Sequence, residues 1–589
     1  MEVNPQNNST NNADRIYLGV VGSPQGQEAT SQEFSFWVQR TILVEETQVV
    51  VCESTIAGRP YRFYGIINQV YRRSRKRNMD EEFDQSDGDI DYVPPFESDG
   101  YTYARVGLLC VQPAALTPPL ERSKVYLANE EDTAVAYGAD EITEGSELAL
   151  GLVKNGGNQL AGPGKIDLDY LLGTNGGHLN VNGSAGRGTK SSFLLHANWV
   201  LLKHVRHLAR TYPSLSTRRE IVPIILNVKN YDLFYIDQRS RRYSETEHLA
   251  DWVQLGVDMP QPFQHVSFYA PQQPNLAVPV ATGRPGVKAY SWSLADIIKL
   301  GLFSYLFAEE DANDANFSAL ILDIENLLTA EKLKGDTTER QIQPDGPART
   351  FQELLDWVDN HCRGGNELRN HHLGTWKKFY RRLFRVVRES KGVLRHDELQ
   401  GQPLNVARKE TSDPIVVDLS ALAATPELQR FVVATIFRQL IEARTGVNVV
   451  RNLVYIVTLD ELNRFAPKGA RDSITQLIEM VASEMRSQGI ILFGAQQQAS
   501  KVSEKVIENA AIRVLGRTGA LELNMPVWKF LSQSAKGRAM TLQTSEKLII
   551  QDNFREPMLV RIPFPAWAMN PDEALVEDSE DYSDLLRGV

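Results

Sequence analysis

The chain has 589 residues, 42% of them hydrophobic and 23% charged, with a formal charge of −11. That length exceeds one ordinary domain of about 100–200 residues, and the composition excludes a wholly disordered or fibrous chain. The acidic balance excludes nonspecific binding of DNA over the whole surface, while leaving room for a local basic lining such as the pore of a ring.

The polar start, residues 1–14, lacks the apolar centre of a signal peptide, and no run reaches the roughly 18–20 apolar residues that span a bilayer. A cytoplasmic protein with no membrane contact is therefore expected. Cys52, Cys110 and Cys362 are far apart and lack CxxC spacing, which points to buried free thiols rather than disulfides or zinc.

Within residues 15–126, apolar segments at 16–21, 34–38, 47–52, 62–71 and 101–112 are separated by turn residues, the pattern of a small β-barrel or sandwich. A charged loop over 72–97 sets the basic run Arg72 to Arg77 against the carboxylates of 80–91. Opposed blocks of this kind form solvated loops, with a basic DNA contact as the other reading. Glycine and acidic residues over 127–165 predict a strand-poor linker.

From 166 to 290, strands alternate with helical patterns, predicting a parallel α/β sheet. Residues 291–404 break this rhythm and read as a helical insertion. Its segment Trp376-Lys377-Lys378-Phe379-Tyr380-Arg381-Arg382 fits an amphipathic helix with solvated cations, or a nucleic-acid contact. The α/β rhythm returns over 405–550, and 551–589 forms a closing segment. The sheet is thus expected to draw strands from both sides of the insertion.

Two segments carry chemistry. The first, His178-Leu-Asn-Val-Asn-Gly183-Ser-Ala-Gly186-Arg-Gly188-Thr189-Lys190-Ser191, is a strand entering a glycine-rich turn and leaving into a helix. Phosphates require this combination. Glycines let backbone N–H groups converge, the helix N-terminus adds positive potential, a lysine reaches the outer phosphates and a hydroxyl holds Mg²⁺. Gly183, Gly186, Gly188 and Thr189 form the turn, and Lys190 and Ser191 take the last two roles. The usual pattern ends Gly-Lys-Ser/Thr, whereas here Thr189 separates Gly188 from Lys190. The plainer reading is a glycine turn before a core helix.

The second segment, Asn452 to Glu461, is an apolar strand ending in adjacent carboxylates. Asp460 is placed to hold Mg²⁺ and Glu461 to polarise an attacking water, although such a pair also serves merely to cap a following helix.

These segments, with Leu459-Asp460-Glu461-Leu462-Asn463-Arg464-Phe465-Ala466-Pro467, resemble the HerA branch of the HerA/FtsK superfamily. So does the stretch running from Arg486 through Gly489 and Gln496-Gln497-Gln498, as does the closing Pro563-Phe-Pro-Ala-Trp567-Ala. The resemblance implies a RecA-like P-loop ATPase core with an N-terminal barrel, using ATP and Mg²⁺ in a homohexamer that moves on DNA, double-stranded in the ring pore. It implies a partner nuclease or other effector docked on the barrel, in DNA-end processing or antiphage defence. It also implies Arg486 as an arginine finger, with Arg517 as a second candidate, and Gln497, or the adjacent Gln496 if the register differs by one residue, as the γ-phosphate sensor. A ring that binds nucleotide only to assemble and activate a partner is the alternative. Where the family often has an acidic residue, this chain reads Leu226-Asn227-Val228-Lys229-Asn230.

Overall fold

The computed structural model describes residues 15–24, 26–73, 87–89, 91, 100–173, 176–184, 189–211, 220–308, 311, 314–334, 337–364, 371–390, 392–407, 413–445 and 452–575. The leader, most of the charged loop, Gly186 and Gly188 lie outside them. The chain divides into two compact units. One runs to Asp167 and takes in Gln254–Gly256 and Phe530–Pro563; the other comprises Leu168–Val253, Val257–Lys529 and the chain from Phe564.

In the first unit, strands β1 (Tyr17–Val21), β2 (Glu33–Val38), β3 (Val49–Ile56), β4 (Arg59–Arg73), β5 (Tyr101–Gln112) and β6 (Lys124–Leu127) close a barrel in the order β1-β2-β5-β4-β3-β6. Closure leaves none of these strands with an unpaired edge. Phe34, Phe36, Val50, Cys52, Phe63, Ile67 and Val106 fill its core.

The expected linker at 127–165 is instead structured. A helix at Glu130–Ala136 is followed by antiparallel β7 (Glu147–Lys154) and β8 (Leu160–Asp167). Strands returning late in the chain, Glu546–Gln551 and Met558–Arg561, extend this pair antiparallel. Residues 530–550, expected within the ATPase core, therefore belong to this unit. Three of the acids that suggested a linker, Glu130, Glu131 and Asp132, lie in the helix's first turn, where they complement its dipole, and Asn129 and Asp132 form a reciprocal capping box.

The second unit is built on eight parallel strands: β9 (Leu179–Asn182), β10 (Glu220–Asn227), β11 (Ser267–Pro271), β12 (Lys288–Tyr290), then, after the antiparallel ribbon β13 (Thr329–Lys334) and β14 (Thr337–Ile342), β15 (Ile415–Asp418), β16 (Leu453–Leu459), β17 (Ile490–Gln496) and β18 (Ile512–Leu515). Their order is β12-β11-β15-β10-β16-β17-β9-β18. This is the RecA-like sheet expected from the sequence, with β17 lying between the glycine-turn strand and the strand that ends in paired carboxylates. Every residue of β9, β16 and β17 is buried, as helices on both faces of a parallel sheet demand.

The interrupting stretch 291–404 contains helices Leu294–Leu300, Ala315–Leu328, Phe351–Gly364 and Leu373–Glu389 as well as the ribbon. In the last of these helices Trp376, Phe379 and Leu383 point inward, while Lys378 and Arg382 pair with Asp311. The closing segment returns to the long helix Thr189–Thr211. Trp567 is fully buried, stacked on Trp199 at a centroid distance of 5.6 Å, and Trp252 donates its Nε1–H to the Phe564 carbonyl at 2.8 Å.

Candidate nucleotide site

In a parallel sheet all carboxyl ends lie along one edge, and ligands bind in the crevice there. Here that edge carries Gly183 after β9, Lys229 just past β10, Asp460 and Glu461 after β16, Gln497 after β17 and Arg517 just past β18. Two regions separated by the insertion therefore meet at one line.

The long helix begins at Thr189, so Lys190 and Ser191 sit in its first turn, where unpaired N–H groups and the helix dipole favour an anion. The Ser191 hydroxyl donates to Asp460 Oδ2 at 2.6 Å. Asp460 also accepts the Glu461 N–H on Oδ1 at 2.8 Å. A second tie joins the same elements deeper in the core: Asn198 donates to Thr458 Oγ1 at 2.8 Å. This fixes the helix against β16 and sets the spacing of the hydroxyl and carboxylate above it.

Glu461 is buried and has φ of 55°, a left-handed conformation that costs a non-glycine residue about 1–3 kcal/mol. Its Oε1 accepts from Lys229 Nζ at 2.9 Å and from Gln497 Nε2 at 3.3 Å. Lys229 Nζ also lies 3.6 Å from Asp460 Oδ2. Burial raises the Glu461 carboxyl's pKa, but the Lys229 hydrogen bond and charge, with Gln497 and Lys190, outweigh it and hold the group below the usual carboxylate range. Burial also pushes the Lys190 ammonium below its ordinary value, against the pull of Asp460 and Glu461. For Lys229 burial opposes charge as well, yet the two carboxylates win and its pKa rises.

Gln496 and Gln497 divide sharply. Gln496 is buried and exchanges amide hydrogen bonds with Asn180 at 3.1 and 2.7 Å, stitching β17 to β9. Gln497 leaves the strand and reaches Glu461. Beneath the turn, Asn182 accepts the Ala499 N–H at 2.8 Å and donates to Thr518 at 3.3 Å.

The two arginines are placed apart. Arg517 is exposed, and its carbonyl accepts the Ser184 N–H at 2.7 Å, so it stands at the mouth of the glycine turn. Arg486 is also exposed but precedes β17, at the opposite end of the strands, where its side chain lies alongside Gly177. Within one chain it is not brought to Glu461. Lys229 is the residue that motif reading passed over. Its only sequence signal was a cation where an acid was expected.

No known family model matches the chain, and no curated protein does so. Among solved structures it is similar to VirB4 of Thermoanaerobacter pseudethanolicus, with 16% identity, 72% of this chain and 98% of that chain covered, and a TM-score of 0.41. It is similar to the bacterial conjugative coupling protein TrwBdeltaN70, with 10% identity, 76% and 94% coverage and a TM-score of 0.45. A third likeness, to the genome packaging NTPase B204 from Sulfolobus turreted icosahedral virus 2 in complex with AMP, has 16% identity, 26% and 68% coverage and a TM-score of 0.20. Likenesses this slight carry no argument about function, which rests on the geometry above.

Proposed function

We propose that the chain is a P-loop ATPase of the HerA/FtsK kind, working as a homohexameric ring that moves along double-stranded DNA. The observation that carries this reading is the convergence at one sheet edge of Lys190 and Ser191 with Asp460, Glu461 and Gln497. An ammonium at a helix N-terminus offers a seat for a polyphosphate. The hydroxyl and carboxylate already in contact are hard oxygen donors of the kind Mg²⁺ takes, so Ser191 and Asp460 would hold the ion, and bound Mg²⁺ would neutralise phosphate charge there.

Lys190 binds the outer phosphates of ATP. Glu461 orients the attacking water and accepts its proton, and Gln497, hydrogen-bonded to that carboxylate, reports the presence of the γ-phosphate. The ring reading draws on Arg486, which is exposed at the far end of the sheet from its own Glu461 and is assigned to a neighbour's site. Arg517 stands ready beside its own turn. Cleavage of DNA would come from a separate nuclease or effector docked on the barrel.

A second reading, a ring that binds ATP to assemble and activate a partner without moving on DNA, draws on the Lys229 contact, which occupies the carboxylate needed for hydrolysis. Steady-state ATP hydrolysis with and without double-stranded DNA, with Glu461→Gln as control, separates the two. Stimulation by DNA that the variant abolishes supports the motor. Nucleotide-dependent assembly with turnover indifferent to DNA supports the scaffold.

A further inference from the structure

Lys229 stands just beyond the end of β10, one strand over from Asp460 and Glu461, because β10 pairs directly with β16 and aligns Leu226 with Leu459. The turn that carries it is unusual. Asn230 and Tyr231 both have left-handed backbones, at φ of 41° and 56°, and Glu461 opposite has φ of 55°. Three non-glycine residues on two facing strand ends are thus held in a sparsely populated conformation, a state that persists only when surrounding contacts enforce it and that gathers where a structure has two settings. The contact these turns create is the 2.9 Å bond from Lys229 Nζ to Glu461 Oε1.

A water-activating carboxylate needs a free oxygen aimed at the water. Here the ammonium and the Gln497 amide both hold Oε1, fixing the carboxylate's orientation, so that turning it toward a water requires these contacts to give. Lys229 is also the more exposed partner of the pair: its side chain is 45% exposed, whereas that of Glu461 is 8% exposed. A long, half-exposed side chain leaves such a contact without disturbing the core. Incoming phosphates give the ammonium a competing anion at the same edge, which favours that departure.

We propose that Lys229 is a positioning residue that latches Glu461 in the nucleotide-free chain, and that hydrolysis requires this ion pair to open. The inference rests on the ATPase reading above. It makes the resting rate a property of the chain itself, released when nucleotide and DNA draw Lys229 away.

The test measures ATP turnover, KM and affinity for a fluorescent ATP analogue in the wild type, Lys229→Met and Lys229→Arg, with and without DNA. Lys229→Gln serves as a second neutral variant in case Lys229→Met does not fold. The latch predicts that either neutral variant raises kcat without DNA about fivefold or more, leaves nucleotide affinity within about threefold, and narrows the gain from DNA, while Lys229→Arg restores the low resting rate. Melting of nucleotide-free protein supplies a second readout. Lys229→Met and Glu461→Gln should shift the midpoint non-additively when combined, as coupled residues do. A wild type that hydrolyses ATP beside neutral variants no faster than it, or additive melting shifts, overturns the latch alone. Wild type and neutral variants that all hydrolyse nothing, with or without DNA, overturn the ATPase reading and the latch with it.

Discussion

Ser191 and Asp460 stand 269 positions apart in the chain and meet through a hydrogen bond of 2.6 Å between hydroxyl and carboxylate. The helix that begins at the glycine turn and the strand that ends in acids are thereby joined at the atoms we propose to hold Mg²⁺. Replacing Ser191 with Ala should lower Mg²⁺-dependent ATP turnover at least about tenfold, since a hydrogen bond to a charged group is worth about 1.5–3 kcal/mol. Nucleotide binding measured in chelator should change far less. Equal losses with and without Mg²⁺ would remove the hydroxyl from the metal's shell.

Lys190 is buried beside two carboxylates, and the role proposed for it is to meet phosphate. Lys190→Ala should weaken binding of a fluorescent ATP analogue by roughly 10- to 100-fold, on the scale of a lost charge-assisted bond. Titration by fluorescence anisotropy reads this directly, and an unchanged Kd would place the phosphates elsewhere.

The neighbouring glutamines should separate stability from turnover. Gln496→Ala strands the buried Asn180 amide and should cost about 1–3 kcal/mol in urea unfolding. Gln497→Ala should leave unfolding nearly unchanged and lower kcat. The reverse pattern would mean that the register at the end of β17 is shifted by one.

His178 gives a pH dependence whose sign can be worked out. Burial, opposed by the Ala482 carbonyl and aided by Arg486, lowers its pKa from 6.5 to about 4. The folded chain thus resists a proton that the unfolded chain accepts. The resulting stability is complete above about pH 6.5 and drains away as pH falls toward 4. The melting-temperature gap between wild type and His178→Gln should therefore be widest at pH 7–8 and shrink toward pH 5; a gap independent of pH would show that the ring's charge plays no part.

Local patterns made the turn at Gly183 and the strand ending at Asp460 readable, because an alternating strand followed by glycines, or an apolar one followed by acids, announces itself within a dozen residues. The same is true of the barrel's alternating strands. Lys229 could not be read this way. Its partner lies 232 positions away, and only the pairing of β10 with β16 brings them together. The 127–165 stretch misled for a different reason. Acids that cap a helix and glycines that bend a hairpin have the composition of a linker, and the distinction lies in the capping contacts of Asn129 and Asp132.

β9 lies between β17 and β18, and its residue Asn180 waits 316 positions for the Gln496 amide that completes it. At synthesis rates of about 5–20 residues per second, that interval is roughly 15–60 s. For all of it the glycine-turn strand, Leu-Asn-Val-Asn, has two unpaired flanks, the condition that invites wrong pairing. A newborn chain therefore passes through a long window in which the strand leading into the glycine turn lacks both its neighbours, and helpers that shield nascent segments would matter most during that minute.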